Sequence, residues 1–119
     1  MPVAPLLAEQ TLKNLRKLLA SEDRWVQGSL AVGKEGSRVS PRSSDACRWC
    51  LHGGLILVTD YSPYLLRETV STLATAISEH SRGLQEFLSR FNDHETTSHK
   101  DVLEVIDAAI LLCKKKAEQ

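Results

Sequence analysis

Cys47-Arg48-Trp49-Cys50-Leu51-His52-Gly53-Gly54-Leu55, continued by Ile56-Leu57-Val58-Thr59, is the stretch on which the fold turns. Read as one helix capped by Ser44 or Asp45 and running to Thr59, it is apolar around most of its circumference and belongs at the centre of a helical bundle. At about 100° per residue, Cys47, Cys50 and Gly54 share a face with Leu51, Leu57 and Val58. His52 then lies nearly opposite Cys50, beside Arg48 and Thr59. A glycine pair inside a helix loses about 1 kcal/mol per residue relative to alanine. That loss is recovered where Gly53 or Gly54 lets another helix come close. As a strand, Leu55 to Thr59 lacks a partner, because no other segment alternates convincingly with a period of two.

The flanking segments are helical by the same reasoning. Ala8, Leu12, Leu15 and Leu19 form a stripe that predicts a helix from about Ala8 to Leu19. Trp25 to Val32 is ambiguous between a short helix and an extended piece, since Gly28 weakens either reading. Residues 33–44 (GKEGSRVSPRSS) are rich in glycine, serine and proline and predict a flexible loop inside one domain. Ser62-Pro63 is a strong helix start. The helix it opens carries Leu66, Val70, Leu73 and Ile77 on one face and should end near Gly83. A short helix from Leu84 to Phe91 and a polar loop from Asn92 to Thr97 come next. Ser98 with Asp101 approximates a capping box, and the last helix runs to about Lys115 on Val102, Ile106, Ala109 and Cys113. The expected fold is all-α: a single domain of residues 1–119, four to five helices packed around the Cys/Gly helix.

Composition narrows the function. A chain of 119 residues supports one hydrophobic core. Fifteen basic residues balance fifteen acidic ones, so no global field recruits nucleic acid or an anionic membrane. Lys114-Lys115-Lys116 falls where a helix C-terminus welcomes cations. The longest apolar run, Leu55 to Val58, is far short of a membrane span. The N-terminus lacks the basic and apolar regions of a secretory signal. The odd count of three cysteines then reads as reduced thiols in a cytoplasmic protein.

The cysteines and histidines are the candidates for chemistry. Cys47-x-x-Cys50 is one spaced pair, whereas a structural zinc site commonly needs two, and a redox motif needs a βαβ setting that is missing. Buried thiols are the better reading, and neither a metal nor a cofactor is expected. Cys50 and His52 cannot act together from opposite sides of one helix. A more distant trio remains, with Cys50 as nucleophile, His99 as base and Asp93 as the orienting acid. His99 sits at the positive end of the last helix's dipole, which favours the neutral imidazole that a general base requires. The simpler reading has His99 bonding a loop carbonyl and closing the end of the core. Asn92 and Asp93 are explained as residues satisfying backbone groups at a helix end. His80 lies on the apolar side near the end of its helix, and His94 reads as a solvated loop residue.

Trp25 to Gly28 (Trp-x-x-Gly), Cys50 to Leu55, and Phe91-Asn92-Asp93 ahead of the last helix together resemble a family of small bacterial and phage proteins of unknown function, found notably in actinobacteria. Its pattern is Trp-x-x-Gly, then Cys-x-x-Gly-Ala-Leu, then Trp-Asn-Asp. This chain departs from it with Gly54 in place of Ala and Phe91 in place of Trp. Cys47, Trp49, Cys50, Gly53, Gly54, Phe91, Asn92 and Asp93 are read as structural positions. The resemblance implies a mobile-element context and no established activity. The leading expectation is therefore an accessory protein that binds and modulates a host protein, with Trp25, Lys34, Arg38 and Arg42 as contact candidates. The alternatives are a thiol-dependent enzyme built on Cys50, His99 and Asp93, and a nucleic-acid-binding helical protein. A homodimer through the last helix is the other partner considered.

Overall fold

Three long helices carry the core, because each presents one apolar stripe and must cover it. In this computed structural model, which describes residues 3–80 and 88–118, they are α1 (Val3–Leu18), α3 (Pro63–His80) and α5 (His99–Ala117). The shorter α-helices among the described residues are α2 (Leu51–Val58) and α4 (Leu88–Asp93). Leu12 and Leu15 of the α1 stripe are completely buried, as is Leu19 just past its end, and α5 does the same with Val102, Val105, Ile106 and Ala109. These two helices form the most extensive pair, and α3 lies against both. Helix α1 starts well before Ala8, since Pro5 falls in the first turn, where the missing N–H would have had no intrahelical partner.

The expected punctuation is present. Pro63 opens α3, and Leu65 N donates to Ser62 Oγ at 3.2 Å. Ser98 and Asp101 form a full capping box on α5, with Asp101 N donating to Ser98 Oγ and Ser98 N donating to the Asp101 carboxylate. The predicted end of α3 near Gly83 and the start of the helix at Leu84 lie outside the described residues. Helix α4 continues through Asn92 and Asp93, which the periodicity had assigned to a loop.

The chief difference concerns the decisive stretch. Cys47 to Trp49 are not helical; Ala46–Trp49 is a strand, β2, paired antiparallel with β1 (Ala31–Gly33) in a two-stranded sheet. Ala31 faces Trp49, Val32 faces Arg48 and Gly33 faces Ala46, with an irregularity between Val32 and Gly33. Pairing explains the change. Ala31 and Val32 are buried, and the Trp49 indole is buried with its Nε1 donating to Pro41 O at 3.0 Å. A helix through Trp49 would forfeit these bonds.

The connection between the strands folds back on β1: Val39 N donates to Ala31 O, and Gly33 N to Ser37 O. Gly36 (φ 86°) supplies the left-handed residue of that turn. Helix α2 therefore begins only at Leu51, with Cys50 as its N-cap in extended conformation (φ −83°, ψ 176°) and its sulfur accepting from Gly53 N at 3.3 Å. Cys47 and Cys50 consequently share no helix face. Helix α2 still has neighbours on several sides, touching α1, α3, α4 and β2.

Candidate functional site

Asn92 brings the chain's separated motifs to one point. It sits near the end of α4 and is wholly buried. A buried primary amide must place two donors and an oxygen with two lone pairs. The Asn92 Oδ1 accepts from Trp25 Nε1 at 2.7 Å and from Leu51 N at 3.1 Å. Its Nδ2 donates to Val26 O and to Asp93 Oδ1, each at 2.9 Å. The amide is fully used. Leu51 N is one of the donors at the start of α2 that no intrahelical carbonyl can serve. Asn92 thus shares with Cys50 the capping of α2.

Asp93 is exposed, and its Oδ1 also accepts from Gly28 N at 2.9 Å. Gly28 has φ 87°, a conformation that L side chains rarely adopt, which explains the glycine of Trp-x-x-Gly. Between them, Gln27 Nε2 donates to Asn92 O at 2.9 Å and His94 O at 3.0 Å. Val26 N donates to Trp49 O, tying the same segment to β2. The Trp-x-x-Gly turn, the Cys helix and the Asn-Asp turn form one hydrogen-bonded junction.

His99 stands beside this junction. Its Nε2 donates to Leu19 O at 2.6 Å, capping a carbonyl left over at the end of α1, and its ring lies tilted 6.0 Å from that of Trp25. Cys50 is buried, and burial pushes its thiol pKa up; hydrogen bonds from the Gly53 and His52 backbone oppose that shift in part, and the Asp93 charge adds a smaller upward push. A thiol nucleophile needs the opposite displacement. Among the described residues no hydrogen bond joins Cys50 to His99 or Asp93, each of which is engaged elsewhere. Burial likewise raises Cys113, while Cys47 is half-buried with its thiol donating to Asp45 O. His52 is half-buried on α2, and desolvation lowers its pKa.

The candidate contact residues divide into two groups. Lys34 and Arg38 are exposed on the β1–β2 connection. Trp25 is half-buried, with its polar edge given to Asn92. Arg42 is half-buried as well; its Nη2 donates to Ile56 O at 3.2 Å, and its guanidinium stacks 3.6 Å above the Tyr61 ring. No motif in the sequence singles out Tyr61. It is 74% exposed and, like Asp60 before it, holds a positive φ (66° and 47°). Asp60 is a residue type that tolerates the left-handed conformation, but nothing in the local pattern Thr59-Asp60-Tyr61-Ser62 marks Tyr61 for it.

These features describe a mostly helical domain whose motif residues build a capped junction. From residue 3 to 112 the sequence matches the model of a family of unknown function (DUF6197), and the chain belongs to that family. No curated protein and no solved structure matches it. Among the described residues, no helix is long and apolar enough to cross a membrane.

Proposed function

We propose that this protein is a non-catalytic binding module, a cytoplasmic accessory factor of the phage or prophage kind that engages a host protein. Its contact residues are Lys34 and Arg38, exposed on the β1–β2 connection, together with the stacked pair Arg42 and Tyr61. The observation that carries the reading is the Asp60-Tyr61 turn. Two successive non-glycine residues in the left-handed region cost of order 1–3 kcal/mol each. The result is a tyrosine presented to solvent and held by stacking on an arginine. Tyrosine and arginine are the residue types that dominate binding energy at protein interfaces. The motif side chains favour this reading by exclusion, since Asn92, Asp93, His99 and Cys50 each have a structural partner.

The test compares proteins retained from a host-cell lysate by the wild type, by Tyr61→Ala and by Arg38→Glu. A specific partner should be captured by the wild type and lost with both variants, while Lys115→Ala on the far end of α5 retains it. Capture unaffected by Tyr61→Ala and Arg38→Glu defeats the proposal. So does the appearance of salt-dependent DNA binding as the only interaction.

A further inference from the structure

The C-terminal end of α3 and the first turn of α5 meet in a mixed nitrogen–oxygen cluster that the junction around Asn92 does not use. His80, Asp101 and Glu104 bring one ligand atom each to within 4.8 Å of the others. The geometry points to a divalent transition-metal site in which His80 Nε2, Asp101 Oδ1 and the Glu104 carboxylate bind one ion, with Zn²⁺ as the best-fitting class. This goes beyond the binding role and departs from the sequence expectation, which sought metal ligands only around the cysteine pair.

Three observations support the assignment. First, His80 Nε2 and Asp101 Oδ1 are 3.7 Å apart, too far for a good hydrogen bond. With bonds of about 2.0–2.2 Å, neighbouring ligand atoms of a tetrahedral zinc lie roughly 3.3–3.6 Å apart. Only a few tenths of an ångström separate the pair from that spacing. Second, the Asp101 carboxylate is already oriented. Its Oδ2 accepts from Ser98 N at 2.9 Å and from Ser98 Oγ at 3.0 Å, which leaves Oδ1 turned toward His80. Hydrogen bonds of this kind behind a ligand fix its direction and strengthen metal binding. Third, the His80 ring packs edge-on against buried Phe91, with centroids 6.0 Å apart and planes at 87°. Its position is set before any ion arrives.

Glu104 lies three residues beyond Asp101 on α5, hence on the same face, and is exposed. One of its carboxylate oxygens already lies within 4.8 Å of the His80 and Asp101 ligand atoms. An imidazole with two carboxylates suits zinc and its first-row neighbours better than Mg²⁺ or Ca²⁺, which favour all-oxygen shells. The three side chains leave the fourth tetrahedral position open to water.

The experiment is calorimetric titration of metal-stripped full-length protein with ZnCl₂, backed by Co²⁺ absorption spectra. One saturable site is expected, with Kd on the order of micromolar and Mg²⁺ giving no heat at the same concentrations. His80→Ala and Glu104→Gln should each weaken binding at least about tenfold, and His94→Ala should leave it unchanged. All three positions are exposed, so the variants keep the fold, which circular dichroism checks. The proposal is overturned by the absence of saturable Zn²⁺ binding up to about 1 mM, by binding that survives His80→Ala, or by a sulfur-to-cobalt charge-transfer band, which would place the ion on a cysteine.

Discussion

Adding one methyl group to each of two adjacent glycines should have opposite consequences. At Gly53 a new Cβ would fall on the backbone carbonyl of Leu30, with its carbon 2.7 Å away and its oxygen nearer still. Real Cβ atoms essentially never come within 3.0 Å of such atoms, so the backbone itself must move. Leu30 O is also the acceptor for Cys50 N at 3.2 Å, the bond that sets Cys50 at the start of α2. Displacing it leaves a buried donor unsatisfied, at about 1–3 kcal/mol, and overpacking adds a similar amount. The gain in helix propensity from glycine to alanine returns only about 1 kcal/mol.

Gly53→Ala should therefore destabilise the protein by about 3 kcal/mol, or roughly 10 °C in Tm. At Gly54 the new Cβ meets Leu15 Cδ1 at 2.6 Å, the far end of a flexible side chain. A small rotamer adjustment there is offset by helix propensity, so Gly54→Ala should stay within about 1 kcal/mol of wild type. Urea denaturation followed by tryptophan fluorescence reads both variants, since Trp25 and Trp49 both belong to the junction at the start of α2. Wild-type stability in Gly53→Ala, or equal losses in the two variants, would refute the packing argument.

Asn92→Ala removes the shared acceptor of Trp25 Nε1 and Leu51 N together with the donor to Val26 O, and should lose about 3–5 kcal/mol in the same assay. Combined with Trp25→Phe, it should show a coupling of at least about 0.5 kcal/mol; strict additivity would mean that the two side chains do not share their bond. Iodoacetamide at pH 8 should modify Cys47 in the folded protein well before Cys50 or Cys113, since burial raises both of the latter. Preferential labelling of Cys50 would revive the thiol-enzyme reading. His52 has its folded-state pKa lowered by desolvation, so the unfolded chain binds the proton first as pH falls. Stability should decline as pH drops below about 6.5 and level off once the folded-state value is passed. His52→Gln should flatten that slope in thermal melts between pH 7.5 and 5, and an unchanged slope would assign it to other groups.

The long helices were legible because their signals are local. Leu12, Leu15 and Leu19, or Val102, Ile106 and Ala109, repeat at the period of an α-helix whatever they pack against. Ser62-Pro63 and the Ser98/Asp101 box satisfy helix ends with residues a few positions away. The sequence alone thus determined a mostly helical domain, three of its long elements and their inward faces. Its reading of His99 as the residue that bonds a carbonyl at the end of the core likewise needed only a position on a helix stripe.

What the sequence left open depends on partners far along the chain. Cys47 to Trp49 follows Ser44 and Asp45, either of which could cap a helix, and only pairing with Ala31 to Gly33 makes it a strand. Asn92 looks like an ordinary helix-end residue until Trp25, 67 positions earlier, and Leu51, 41 earlier, are brought to its amide. The same holds for His80, whose carboxylate neighbours come from a different helix, and for Tyr61, whose exposure follows from a turn held against Arg42. Hydrophobic periodicity records which face of an element is buried; it carries no record of which polar atoms the folded chain brings within 3 Å of one another. That matching is set by tertiary packing, and in this protein it made a glycine turn, a cysteine cap and an asparagine into one junction.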